Sequence, residues 1–145
     1  MDRMKSTLST LWLFATVNYL YCDVVSLMDP HLLKQYVAGN VGGVSVTPGF
    51  LLAAGILVEI PMAMILLSRI LGSRANRWAN VGAGALMTIM QVATLFATKP
   101  ALYYGFFSVI EIATTAAIVG LAWKLGAVQA PDELHDREAQ PAWAE

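Results

Sequence analysis

The chain has 145 residues, 57% hydrophobic and 13% charged, with a net charge of -1 and a mean hydropathy of +0.60. A soluble domain carries roughly 25% charged residues, so this composition excludes an ordinary soluble domain and reads as one integral membrane domain. The basic residues are scattered, which excludes a nucleic-acid-binding field, and the single cysteine, Cys22, excludes an internal disulfide.

Four stretches reach the roughly 20 apolar residues that a bilayer span requires. They run from about Leu8 to Met28, Phe50 to Leu71, Ala79 to Thr98 and Ala101 to Trp123. The predicted fold is an all-α membrane protein: a four-helix transmembrane bundle over residues 1–128, with a short interfacial helix in its first outer loop. The first span follows Arg3 and Lys5. It is too long for a signal-peptide core, lacks a small-residue cleavage site and carries Asn18 and Asp23, so it is expected to be retained. After it, Asp29 offers an N-cap, Pro30 a first helical residue, Leu32, Leu33, Tyr36 and Val37 an apolar face, and Gly39 a stop. That pattern predicts a short helix on the membrane surface, an anchor or a lid over the outer mouth. Asn40 to Pro48 places Gly42 and Gly43 between β-branched runs, which predicts a compact turn or small hairpin.

Gly72 to Trp78 forms the connection between the second and third spans. Thr98-Lys99-Pro100-Ala101 is short enough to make the third and fourth helices an antiparallel hairpin. The tail over 129–145 is polar and acidic and is expected to be disordered. Arg3, Lys5, Arg69, Arg74, Arg77, Lys124 and Arg137 fall on one side of the spans, against Lys34 and Lys99 on the other. The positive-inside rule therefore puts both termini in the cytoplasm, in an inner or cytoplasmic membrane, with the Gly72 loop at anionic head groups.

Three carboxylates, Asp23, Glu59 and Glu111, lie within the spans with no Lys, Arg or His beside them. Intramembrane charges are expensive and usually mark a function. The polar residues form rows at helical spacing: Trp12, Thr16, Tyr19, Asp23 and Ser26; Gly84, Thr88, Gln91 and Thr98; Tyr104, Ser108, Glu111 and Thr115; and the small-polar-small row Gly55, Glu59 and Ala63. Four such rows predict a bundle with a polar seam, since lipid cannot satisfy them. At 1.5 Å per residue Glu59 lies roughly 14 Å deep, Glu111 roughly 15 Å, Gln91 roughly 11 Å and Asp23 roughly 8 Å. Pro61 frees the carbonyl of Leu57 near Glu59. Val58-Glu59-Ile60 also echoes Ile110-Glu111-Ile112, and repeated halves place a site between them, which predicts that the two glutamates face one another.

The candidate ligand- or proton-binding residues are thus Glu59, Glu111 and Asp23, with Gln91, Asn18 and Tyr19 beside them. The plainer readings are hydroxyl bonds from Ser108 or Thr115 for Glu111, pairing with Tyr19 or Lys99 for Asp23, and interhelical glue for Asn18 and Gln91. His31 and His135 lie in a loop and a tail, so the spans hold no histidine metal site and no Ser-His-Asp set; no phosphate-cradling or quinone motif is present either. No catalytic residue or cofactor is assigned.

The runs Asn18-Tyr19-Leu20-Tyr21-Cys22-Asp23, Ser26-Leu27-Met28-Asp29-Pro30, Glu59-Ile60-Pro61-Met62-Ala63-Met64, Arg74-Ala75-Asn76-Arg77-Trp78-Ala79-Asn80 and Glu111-Ile112-Ala113-Thr114-Thr115 resemble a family of small, functionally uncharacterised prokaryotic four-helix membrane proteins. The likeness covers about residues 8–124. In shape it is similar to the broader DoxX-like group, some of whose members are membrane subunits tied to quinone or thiol redox. The leading functional expectation is binding or transport of a small cation, proton or amphipathic solute, with Asp23 as outer relay to Glu59 and Glu111. One alternative is a DoxX-like redox or lipid-modifying subunit working near Tyr19, Cys22 and Asp23. The other is a structural membrane partner whose rows are only glue. Gly55, Gly82 and Gly84 permit close helix contact, so a homo-oligomer in the lipid bilayer is expected.

Overall fold

The computed structural model describes residues 2–97 and 101–127. Its elements are α1 (Asp2–Leu27), α2 (Pro30–Val37), β1 (Asn40–Val41), β2 (Val44–Ser45), α3 (Pro48–Ile70), α4 (Ser73–Ala97) and α5 (Leu102–Ala127). Four of the helices, α1, α3, α4 and α5, are long and apolar enough to cross a membrane. The 98–100 turn and the 129–145 tail lie outside the described residues.

Helices run past the predicted spans because a backbone hydrogen-bond ladder does not stop where hydrocarbon does. Thus α1 begins at Asp2, not near Leu8, and Thr7 and Thr10 donate hydroxyls back to the carbonyls of Arg3 and Ser6. Most of the stretch read as the 72–78 connection is likewise helical: Asn76 N–H bonds the Gly72 carbonyl at 2.8 Å, and Ser73 to Trp78 contains neither Gly nor Pro. Only Leu71 and Gly72 remain between α3 and α4.

The first long loop follows its sequence signals. The Asp29 carboxylate accepts N–H bonds from His31 (2.8 Å) and Leu32 (3.4 Å), and Pro30 opens α2. Gly39 ends it at φ 71°. Gly42 and Gly43 turn the chain at φ 58° and 85°, the positive pair that a two-residue type I′ hairpin demands, and β1 pairs antiparallel with β2 in the register Asn40 to Ser45. Gln35 Oε1 accepts the Gly42 N–H at 2.9 Å and ties the hairpin to α2. Thr47 then caps α3, with Pro48 at its first position.

The long helices pack as a ring in which α1 lies against both α3 and α5, and α4 lies chiefly against α5. The α3/α4 side is the loosest. The close α4/α5 seam rests on Gly84, where an added Cβ would stand 2.7 Å from Val119 Cγ2 and 3.4 Å from the Thr115 carbonyl. Gly120 faces open space. Gly84→Ala is therefore expected to lower the thermal midpoint in detergent, since overpacking costs about 1–3 kcal/mol. Gly120→Ala should hold or raise it, because helix propensity contributes about 0.5–1 kcal/mol.

The two halves of the bundle differ. In the half nearest Gly72, Leu8, Trp12, Met64, Ile118 and Ala122 form a closed core. A fully buried polar knot sits within it. Trp12 Nε1 donates to Asn80 Oδ1 at 2.7 Å and Ser68 Oγ donates to the same oxygen at 3.1 Å. Asn76 Nδ2 donates to the Ser68 carbonyl at 2.9 Å, and Asn80 Nδ2 to the Asn76 carbonyl at 2.8 Å. The knot joins α1, α3 and α4. Further out, Ser9 Oγ donates to the Ile65 carbonyl and accepts from Arg69 Nε, and Lys5 Nζ donates to the Leu71 carbonyl. The Arg77 guanidinium lies over Trp123 at 4.5 Å, where the exposed Trp78 and Trp123 meet edge to face.

Candidate functional site

The half carrying α2 and the hairpin is hollow. A cavity of about 180 Å³ lies between the four long helices, lined by Tyr19, Cys22 and Asp23 of α1, Leu57 and Val58 of α3, Met87, Met90, Gln91 and Thr94 of α4, and Tyr104 and Glu111 of α5. Helical spacing brings these together: residues three, four or seven apart share a face, so Tyr19 stands over Cys22 and Asp23, Met87 over Gln91 and Thr94, and Tyr104 over Glu111. α1 and α5 thereby present a carboxyl each, Asp23 and Glu111.

Glu111 is 1% exposed, and neither carboxyl oxygen has a hydrogen-bond partner among the described residues. The hydroxyls beside it in sequence are committed elsewhere. Ser108 donates to the Tyr104 carbonyl and accepts from Gln91 Nε2 at 2.7 Å. Thr115 bonds the Glu111 backbone carbonyl at 3.0 Å and shares a 2.7 Å bond with Thr88. The Tyr19 hydroxyl is also buried without a partner. An unmade hydrogen bond costs more than a made one contributes, and more again for a carboxylate, so the cavity wall carries an unmet demand for donors or positive charge.

Asp23 is exposed and stands about 6 Å from the end of α1 at 1.5 Å per residue. Tyr36 of α2 is close enough to feel it: burial first, then the charge of Asp23 and the neighbouring Tyr103, push the Tyr36 phenol above its ordinary range. The interior of the cavity is thus acidic and aromatic. Among the described residues no cluster of His, Cys, Asp and Glu is arranged to hold a metal ion.

Of the sequence-predicted residues, Glu111, Asp23, Gln91 and Tyr19 meet in this cavity. Glu59 does not join them: it is exposed and absent from the lining. The predicted face-to-face pair of glutamates is therefore not formed within the chain. The reason is that α3 turns Pro61, Met64 and Ser68 inward, so the Gly55-Glu59-Ala63 row points away from the seam. Asn18 is half-buried and its Oδ1 is unpartnered, also outside the lining. Sequence reasoning missed Thr94 and the two methionines as wall residues. It also missed the Asn76, Asn80 and Ser68 knot, which the four-residue spacing of two amides in an apolar helix signals.

A family of unknown function, DUF6326, matches residues 1–129 of the chain. Neither the curated proteins nor the solved structures yield a match to it.

Proposed function

This chain belongs to the DUF6326 family, whose function is unknown, and we propose from its own chemistry that it binds the cationic group of a small or amphipathic solute inside the membrane. Glu111 is the counter-ion and Asp23 the first contact at the mouth. The observation that carries the reading is the buried Glu111 carboxyl, both oxygens unpartnered, on the wall of a cavity.

The wall chemistry favours an organic ammonium ion over a hard metal cation. Ca²⁺ takes six to eight oxygen ligands, whereas here two tyrosines, two methionines and one buried carboxyl surround the space. Aromatic faces and a carboxylate together recognise alkylammonium groups. About 180 Å³ is close to the roughly 150 Å³ that holds a benzene, so it takes a head group, and an attached tail would leave through the loose α3/α4 side. Lys5, Arg69, Arg74, Arg77 and Lys124 lie at the Gly72 end of the bundle, which supports cytoplasmic termini and a cavity open to the outer side of the cytoplasmic membrane.

Titrating the purified protein in an uncharged detergent with decyltrimethylammonium and with its uncharged carbon isostere tests this. The cation should bind at least about tenfold tighter, as a desolvated alkylammonium over aromatic faces gains about 2 kcal/mol. Equal affinities would end the proposal. A DoxX-like redox or lipid-modifying role is the second reading, favoured by Cys22 on the same wall; it makes the thiol indispensable where the first makes Glu111 so.

A further inference from the structure

Glu59 occupies the middle of the Pro48–Ile70 helix, with eleven residues on either side. The inward face of α3 is Pro61, Met64 and Ser68. At 100° per residue Glu59 projects from the opposite face. It lies there in the row Leu52, Gly55, Glu59, Met62 and Leu66, all exposed, with spacing that alternates three and four. A lipid-facing carboxyl at mid-span is the costliest place for such a group. The only basic residue of α3, Arg69, stands near its far end. Gly55 has no internal reason to be small, because an added Cβ there would meet nothing within 4 Å.

We propose that this face of α3 is the contact between two copies of the chain, with Glu59 hydrogen-bonded to its counterpart and Gly55 admitting the close approach. Copies inserted with one topology are related by a twofold axis along the membrane normal, so each residue meets its own counterpart at equal depth. A carboxyl is self-complementary, since its protonated form donates and either form accepts. A different partner would have to supply a matching group at that same depth. The three-four seam suits parallel helices crossing at about 20°, and one polar residue in an apolar seam fixes register and copy number. None of the five seam residues lines the cavity, so this inference stands apart from the ligand proposal.

The test is oxidative cross-linking of the full chain in phosphatidylcholine proteoliposomes, with single cysteines placed on α3. Native Cys22 is buried, and the unsubstituted chain measures its background. Leu52→Cys, Met62→Cys and Leu66→Cys should each give about fivefold more dimer than Ala53→Cys, an exposed position off the seam. In the Met62→Cys chain, Glu59→Gln should keep the cross-link, because an amide also donates and accepts, while Glu59→Leu should lower it about fivefold. Equal yields at positions 52, 53, 62 and 66 would overturn the proposal. So would an undiminished yield with Glu59→Leu.

Discussion

Glu111→Gln is expected to weaken binding of decyltrimethylammonium by about 30- to 100-fold, a loss of roughly 2–3 kcal/mol, somewhat less than the roughly 4 kcal/mol between unit charges about 4 Å apart at an effective dielectric near 20. The amide keeps the shape of the carboxyl and is cheaper to bury, so the thermal midpoint of the free protein should stay level or rise. That combination separates three readings. A structural partner protein predicts the same stability with no ligand to lose, and a redox subunit predicts that Cys22→Ser is the damaging change. Asp23→Asn should cost less, within about tenfold, and its effect should fade with salt, because an exposed charge is screened. Unchanged affinity in Glu111→Gln would remove the buried carboxyl from the site.

The largest expected loss of stability comes from Asn80→Leu. Asn80 Oδ1 accepts from both Trp12 and Ser68, and its amide donates to Asn76. Leucine leaves a buried indole N–H and a hydroxyl unsatisfied, each worth about 1–3 kcal/mol when orphaned. Interhelical hydrogen bonds measured within membranes contribute less, about 0.6 on average and up to 1.7 kcal/mol. We therefore expect a loss of about 2–3 kcal/mol, read as a lower unfolding midpoint in detergent. Ser68→Ala should cost only a fraction of this, since Asn80 Oδ1 keeps its bond from Trp12. A midpoint unchanged in Asn80→Leu would show the knot to be incidental.

The helices, the capped loop helix and the glycine hairpin were legible because each depends on near neighbours. Length and hydropathy mark α1, α3, α4 and α5; Asp29, Pro30 and Gly39 bound α2; Gly42 and Gly43 set the turn. Which way each helix faces was only partly legible. In α1, α4 and α5 polar rows are long enough to define an inner face, and Tyr19, Asp23, Gln91 and Glu111 do converge. In α3 two rows compete. One contains Glu59, the other Pro61 and Ser68, and the sequence reading followed the charge. The knot decided the matter: Ser68 satisfies and is satisfied by Asn80 and Asn76, a long-range arrangement that no window along α3 reveals. The pairing of hydroxyls was illegible for the same reason. Ser108 and Thr115 are adjacent to Glu111 on the helix, yet a helical hydroxyl finds the backbone one turn back and a facing side chain before it reaches a carboxyl on its own helix.

The asparagine knot and the packed core beneath the cavity give the molecule a floor. A solute that enters from the hollow side meets Glu111, with the buried core of Met64, Trp12 and Ile118 on the Gly72 side of the cavity. On the proposed binding role, occupancy of such a seat saturates at one solute per chain as the solute concentration rises.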